Sequence, residues 1–397
     1  MPLLTGQGRT LRFIHTADWH LGRLFHSVHL TSDQRFTLEG LVRLAEDRKV
    51  DAVVIAGDVF DRAVPPTDAV DLLDDTVARL ALDLHIPVVM IAGNHDSPAR
   101  LEFFSGLARR TGVHVIGRVG SSVRPVELTG ADGTTVRFWP LAYTDPETAR
   151  YELGRDDIHS HEAVLAAQLE AVTREAGGAV RNVVVGHAFV SGCRECESER
   201  PLTVGGSGAV PVSLFSGIDY VALGHLHEPQ AAGNDHVRYA GSLLKYSFTE
   251  CAQQKSVTLV DLAGDGTLSL EQVRLPMRRD VRSLRGTFAE LLASPVDDDL
   301  AGAYLEVVLT DQESIINPVD RLRQKFPHLL SLRREETERT ILGPAQGSTG
   351  IKTRQTSELF ADFFADVKGT ALNMPQTTEL AAALDELERS HREVATA

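Results

Sequence analysis

Short runs of Val, Ile, Leu and Ala recur between Leu11 and Leu223: Leu11 to Thr16, Ala52 to Ala56, Val88 to Ala92, Val183 to Val185 and Tyr220 to Leu223. Consecutive rather than alternating apolar positions are the pattern of strands covered on both faces. Between the early runs the apolar residues change to helical spacing, as in Phe36, Leu41, Leu44 and in Val70, Leu73, Val77, Leu80. Strand alternating with helix over the first hundred residues predicts a layered α/β architecture. Around Val123 to Leu141 and Val237 to Leu275, turn-separated β segments follow one another without helices, which predicts mixed sheets.

From about Arg278 the pattern changes again. A helical stretch through Phe288 to Leu292, a strand at Ala303 to Leu309, a helix near Val319 to Phe326 and a strand at Leu329 to Leu332 predict a small α+β domain. Gly343 to Gly350 reads as a flexible linker by composition. Two helices, broken at Pro375, follow it. One carries Leu359, Phe360, Phe363, Phe364 and Val367 on a face, the other Leu380, Leu384, Leu387 and Val394. The expected domains are therefore a catalytic domain over 1–275, a capping domain over 276–342, the linker over 343–350 and a helical segment over 351–397.

A chain of 397 residues with 43% hydrophobic content has room for two or three such units. No apolar run approaches the roughly 18 residues of a membrane span. Met1 to Thr10 lacks a basic region followed by an apolar stretch, so a cytoplasmic protein is expected. The three cysteines, Cys193, Cys196 and Cys251, are too few for a disulfide framework. Cys193 and Cys196 have the spacing of half a zinc site, but no second pair lies nearby to complete a tetrahedron, and they read as ordinary loop residues.

The formal net charge of −15 argues against holding nucleic acid by bulk electrostatics. The charge is uneven, however. Residues 271–350 carry a net of only −2, with basic clusters at Arg278, Arg279, Arg282 and Arg285 and at Arg321, Arg323 and Lys325. A DNA-contacting role for the first cluster competes with its being a solvated face.

The chemistry lies just past the predicted strands. Asp18-Trp19-His20, Gly57-Asp58, Gly93-Asn94-His95-Asp96, Gly186-His187 and Gly224-His225-Leu226-His227 each follow an apolar run by one or two residues. In open α/β sheets ligands gather at the carboxyl ends of the strands, so folding would collect these segments along one edge. Any one of them alone is most simply a turn or a satisfied loop histidine. Together they supply Asp18, His20, Asp58, Asn94, His187, His225 and His227, enough for two metal ions, as in hydrolases of phosphate esters. One ion would take Asp18, His20 and His227 and the other Asn94, His187 and His225, with Asp58 bridging. His95 neighbours a ligand without being needed as one and is the candidate to stabilise the transition state or protonate the leaving oxygen. His26, His29, His159 and His161 read as solvated. Mixed nitrogen and oxygen ligands without thiolate fit Mn, Fe or Zn.

At these residues the chain resembles the calcineurin-like metallophosphoesterases, whose signature is the same five-part series. Asp18-Trp-His-Leu-Gly22, Gly57-Asp-Val-Phe-Asp61, Gly93-Asn-His-Asp-Ser-Pro98 and Ser198-Glu-Arg-Pro-Leu-Thr-Val-Gly205 are similar to its bacterial DNA nucleases. The resemblance implies a layered α/β sandwich with a small α+β capping domain and a C-terminal helical pair. It also implies two divalent ions, most simply Mn2+, bound by the seven residues named, with His95 as the catalytic histidine. By the same resemblance the activity would be exonuclease action on duplex ends and endonuclease action on single strands and hairpins. The partner would be an SMC-like ATPase, with the nuclease as a homodimer within a heterotetramer. Docking of that ATPase is expected on the helical segment through Leu359, Phe363, Phe364, Leu380, Leu384 and Leu387. Archaeal and eukaryotic relatives often carry a histidine where Asp61 stands, so a role for that histidine does not carry over. The competing readings are a small-molecule phosphodiesterase or protein phosphatase of the same superfamily, and a scaffold that has lost catalysis. The capping domain speaks against the first and the complete ligand set against the second.

Overall fold

The computed structural model of the protein describes residues 11–120, 123–130, 133–175, 180–202, 208–313, 315–335, 357, 360–361, 364 and 370–394. Strand β1 (Leu11–Thr16) leads through a small hairpin, β2 (Leu24–Phe25) and β3 (Val28–His29), into helix α1 (Thr31–Arg48). Then come β4 (Ala52–Ala56), α2 (Thr67–Ala78), β5 (Val88–Ile91), the short helices α3 (Pro98–Leu101) and α4 (Ser105–Ala108), and β6 (Val113–Ile116). A second half follows: β7 (Val126–Thr129), β8 (Thr135–Leu141), α5 (Pro146–Leu153), α6 (His161–Glu175), β9 (Arg181–His187), the short pair β10 (Phe189–Val190) and β11 (Ala209–Val210), and β12 (Tyr220–Gly224). β13 (Gln230–Ala232), β14 (Asn234–Tyr239), β15 (Val257–Leu262) and β16 (Leu268–Val273) are interrupted only by short turns such as Phe248–Glu250.

These strands form two six-stranded sheets, ordered β16-β15-β1-β4-β5-β6 and β13-β14-β12-β9-β8-β7. Both are mixed. β1, β4, β5 and β6 run parallel while β15 pairs antiparallel with β1, and β8, β9, β12 and β14 run parallel with antiparallel edges. The sheets stack face to face. Phe13 on β1 meets Phe138 on β8 at 5.2 Å and Tyr220 on β12 at 5.8 Å, both edge-on. Because side chains alternate across a strand, Phe13, Val54 and Val89 point into this seam, whereas Ile14, Val53 and Ile55 point outward into a layer covered by α1 and α2. α6 covers the outer face of the second sheet through Leu165, Leu169 and Val172. Four layers result, and the central strands β4, β5 and β12 are buried on each face, as their sequence indicates.

A third sheet of three parallel strands is built from β17 (Val281–Gly286), β18 (Tyr304–Leu309) and β19 (Leu329–Arg334), with α7 (Phe288–Ala293), α8 (Asp298–Gly302) and α9 (Pro318–Arg323). Phe288, Leu291, Leu322 and Phe326 pack on one face against Leu305, Val307 and Leu309. The other face turns to the catalytic layers: Val281 and Tyr304 join their core, the Tyr304 hydroxyl donates to Asp33 Oδ2 at 2.9 Å, and Lys245 pairs with Asp280 at 2.8 Å. Strand β17 and helices α5 and α6 are absent from the sequence-based expectation. β17 holds Arg282, Ser283 and Arg285, so it lacks an apolar run, and its two basic residues fall on opposite faces by the alternation of the strand.

Residues 11–335 lie within one compact unit, and 336–397 form the second. In the second the described structure is chiefly the helix Met374–Val394, with Pro375 at its start, where the missing N–H costs nothing. The expected linker 343–350 lies outside the described residues. Among the described residues no helix is long and apolar enough to cross a membrane.

Candidate metal centre

Five strand ends deliver the chemistry to one edge of the sandwich. β1, β4 and β5 of the first sheet are followed by Asp18 and His20, by Asp58, and by Asn94 and His95. In the second sheet β9 ends on His187, and β12 is followed by His225 and His227. The chain reverses sharply at several of these ends. Asp18, His20, Asp58 and His225 all adopt positive φ, at 52°, 43°, 47° and 106°. For non-glycine residues such conformations cost on the order of 1 kcal/mol each and persist at sites that need them. Two glycines make room. A Cβ on Gly93 would lie 2.1 Å from Asp58 Oδ1, and one on Gly57 2.4 Å from His187 Nδ1.

Asp58 Oδ2 sits at the middle, 3.7 Å from His20 Nε2, 3.5 Å from His187 Nε2 and 3.9 Å from His95 Nε2. On one side His20 Nε2 and His227 Nε2 face each other at 3.1 Å, and Asp18 joins them as a group whose ligand atoms lie within 4.8 Å. On the other side Asn94 Oδ1 lies 2.9 Å from His187 Nε2 and 3.2 Å from His225 Nδ1. All seven expected ligands are thus gathered. His95 also lies here, with its Nδ1 against the Asp61 carbonyl at 2.8 Å, which fixes the ring so that Nε2 faces Asp58.

The donors fit cations. Asp18 is fully buried, and its carboxyl is driven well above the usual range by burial and then by the like charge of Asp58. His20 and His225 are pushed well below the ordinary imidazole value by burial and by neighbouring imidazoles, and burial also lowers His187 and His227. Unprotonated imidazoles beside crowded carboxylates are lone pairs without a partner, which divalent ions satisfy. Outer residues hold these lone pairs inward. His187 Nδ1 pairs with the Ala56 carbonyl at 2.9 Å, leaving Nε2 for the centre. His227 Nδ1 meets Ser198 Oγ at 2.6 Å; that hydroxyl donates to Glu250 Oε1 at 2.5 Å, and Glu250 pairs with Lys255 at 2.5 Å. Such partners orient ligands and set their basicity.

Several of these supports escape sequence reading. Asp96, in the Gly-Asn-His-Asp quartet, accepts from the backbone N–H groups of Val59, Phe60 and Gly93 and so ties two ligand loops together. Gln34 donates to the carbonyls of Trp19 and His20 from inside α1. Asp61 accepts from Arg23 at 2.9 Å. Only Asp96, Asp61 and Ser198 sit inside recognisable motifs; Gln34, Glu250 and Lys255 carry no local signal.

The histidine at 161 departs from expectation. It is not solvated: it is buried at the start of α6, stacked on Tyr143 at 5.6 Å, and Tyr143 in turn meets His187 edge-on. His26, His29 and His159 are exposed. The four arginines expected to contact DNA do not form one face. Arg278 is exposed, and Arg279 lies over the Tyr304 ring with Asp33 at 3.8 Å. Arg282 pairs with Asp280, and Arg285 with Glu335 on the opposite face of β17. Of the expected docking residues, Leu359 and Phe363 lie outside the described residues, as does the side chain of Leu387. Phe364 is half-buried, as are Leu380 and Leu384 on their helix.

Residues 11–229 match the family model described as calcineurin-like phosphoesterase, and residues 277–368 match one described as type 5 capsule protein repressor C-terminal domain. A curated relative, the D component of the nuclease SbcCD from Staphylococcus epidermidis, is 30% identical over 322 residues, covering 81% of this chain and 85% of its own. Among solved structures, a dimetal phosphatase from Danio rerio aligns with a TM-score of 0.42 at 14% identity, covering 67% of this chain and 96% of its own. The protein TT1561 of Thermus thermophilus gives 0.38 at 14%, over 67% of this chain and 100% of its own. The strand-end carboxylates and histidines, the family models and the curated relative agree: the chain belongs to the calcineurin-like phosphoesterases, within the family of SbcD nucleases.

Proposed function

We propose that this chain is a manganese-dependent DNA nuclease. It hydrolyses phosphodiester bonds at duplex ends as an exonuclease and in single strands or hairpins as an endonuclease. It works in the cytoplasm as a homodimer with an SbcC-like SMC-type ATPase, in a heterotetramer serving double-strand break repair, replication and recombination. The observation that carries this reading is the position of Asp58 Oδ2, within 4 Å of ring nitrogens from His20, His187 and His95. A carboxylate so placed would be shared by two cations held by the histidines on either side of it.

Asp18, His20 and His227 would hold one ion and Asn94, His187 and His225 the other, with Asp58 shared. When bound, two divalent ions activate water as a nucleophile and neutralise charge on the phosphoryl oxygens. The chain's own residues do the rest. The Asp61 carbonyl fixes His95 so that its Nε2, when protonated, can donate to the leaving oxygen. The Gly57 and Gly93 loops bring His187 and Asp58 into reach of each other. Glu250 and Lys255, through Ser198, hold His227 in one ring orientation.

The decisive experiment is cleavage of hairpin and duplex-end DNA by the purified chain with Mn2+, alone and with the ATPase. Activity on DNA that needs Mn2+ and is altered by the ATPase is the expected result. Hydrolysis confined to nucleotides or phosphopeptides would move the assignment to a phosphodiesterase or phosphatase.

A further inference from the structure

Between the capping sheet and the catalytic domain a cleft of about 720 Å3 opens beside the metal centre. Its inner end is formed by residues that hold the ligands in place. Arg23 donates to Asp61 Oδ1 at 2.9 Å and to the Ser198 carbonyl at 3.3 Å, and Ser198 Oγ contacts His227. One wall is aromatic: Phe248 packs 5.0 Å from Phe25 and 5.1 Å from His26. Phe25 is buried, Phe248 half-buried and His26 exposed, so free ring surface is offered by the last two. The facing wall is polar, because Ser283, Glu306 and Ser331 stand opposite one another on β17, β18 and β19 and so project from one face.

Two features identify the occupant. Each guanidinium on the walls is already matched, Arg333 with Glu306 at 2.8 and 3.0 Å and Arg23 with Asp61, and Glu197 adds a further carboxylate. Among the described residues of the walls no cationic surplus is left to hold a phosphate, whereas aromatic surface facing the Ser331 hydroxyl and a Ser283 hydroxyl that donates to Glu306 at 3.1 Å, in a wall of balanced charge, suits a neutral, planar, hydrogen-bonding ring. The tip of the β2–β3 hairpin is also strained. His26 and Ser27 have φ of 46° and 69°, a two-residue turn of the kind ordinarily made by Asn-Gly. Keeping a histidine there sets an imidazole against Phe248 at a conformational cost that glycine would avoid.

We infer that this cleft takes the base of an unpaired nucleotide next to the scissile phosphate, stacked on Phe248 and His26 and read loosely by Ser283, Glu306 and Ser331. The inference rests on the nuclease reading above and names the part of the substrate that must be single-stranded. A paired nucleotide cannot enter without leaving its stack, so frayed ends and loops are favoured.

The test pairs a substrate lesion with a protein lesion. In a single-stranded oligonucleotide cut with Mn2+, an abasic residue at one position beside the cut should slow the unaltered protein about tenfold, the scale of one base–aromatic stack. Phe248→Leu should slow cutting of the intact oligonucleotide by a similar factor, and the abasic residue should then cost nothing more. His26→Ala, on an exposed turn, provides a second variant should Phe248→Leu fail to fold. In EDTA, 2-aminopurine at the same position should lose fluorescence on binding the unaltered protein and retain it with either variant. An abasic penalty equal in all three proteins, or none at any position, would overturn the inference. Quenching without any cutting by the unaltered protein would support the cleft and refute the nuclease reading instead.

Discussion

Asp58 Oδ2 and His95 Nε2 lie 3.9 Å apart, and the two residues are assigned different work. On the proposed assignment Asp58 would be shared by both ions, so Asp58→Ala should purify metal-poor and inactive. His95→Ala should keep its metal and lose turnover by about 10²- to 10⁴-fold, the range for removing a general acid. Elemental analysis of both folded variants decides the point, and a metal-free His95→Ala would refute its assignment. Gly93→Ala belongs to the same scale. Its Cβ would overlap Asp58 Oδ1 and the Asp58 backbone N, so the bridging carboxylate must move. Metal content should fall even though the ligands are all present, and stability should drop by about 1–3 kcal/mol in a melt without metal. The seven residues gathered at this edge were legible because strand ends place them in short, recognisable runs. Their supports were not, since Gln34 reaches Tyr246 across 212 residues and Ser198 reaches Glu250 across 52, contacts that no local pattern announces.

At the scale of elements, the apolar runs marked the inner strands closely, because a strand buried on both faces has little freedom in composition. β17 was illegible for the opposite reason: Ser283 and Arg285 line a polar face, and what makes it a strand is pairing with β18. The capping sheet is held to α1 and the segment after β14 by Tyr304–Asp33 and Lys245–Asp280. Burial disfavours the charged Asp280, but the hydrogen bond and charge of Lys245 outweigh it and lower its pKa. A carboxyl with a depressed folded value adds stability above its unfolded pKa of about 4 and loses it as pH falls through the folded value. Lys245→Met, which leaves Asp280 with Arg282 as its remaining cationic partner, should therefore cost about 2 kcal/mol at pH 7, the scale of a hydrogen bond to a charged group. The difference from the unaltered protein should shrink in melts below about pH 4. A pH-independent difference would assign the loss to packing.

For the whole molecule, the division at Glu335 separates the catalytic and capping layers from the C-terminal unit. Removing residues after Gly350 should preserve Mn2+-dependent cutting of simple substrates and abolish co-purification with the ATPase. A shortened chain that still forms the complex would refute docking through that segment. The helix Met374–Val394 exposes Met374 and leaves Leu380 and Leu384 half-covered, the profile of a surface that gains from a partner.

The candidate ligands come from both sheets: Asp18, His20, Asp58 and Asn94 follow strands of one, and His187, His225 and His227 belong to the other. Ions bound there would act as rivets across the seam, since neither sheet could peel from the other without breaking coordination. Occupancy is therefore linked to unfolding, and saturation at about a hundred times the dissociation constant should raise stability by about 2.7 kcal/mol. Backbone amides of β4 and β9, on opposite sides of the seam, should slow their hydrogen exchange together as manganese is added. Slowing in one sheet alone would mean that the ions are held by half the site.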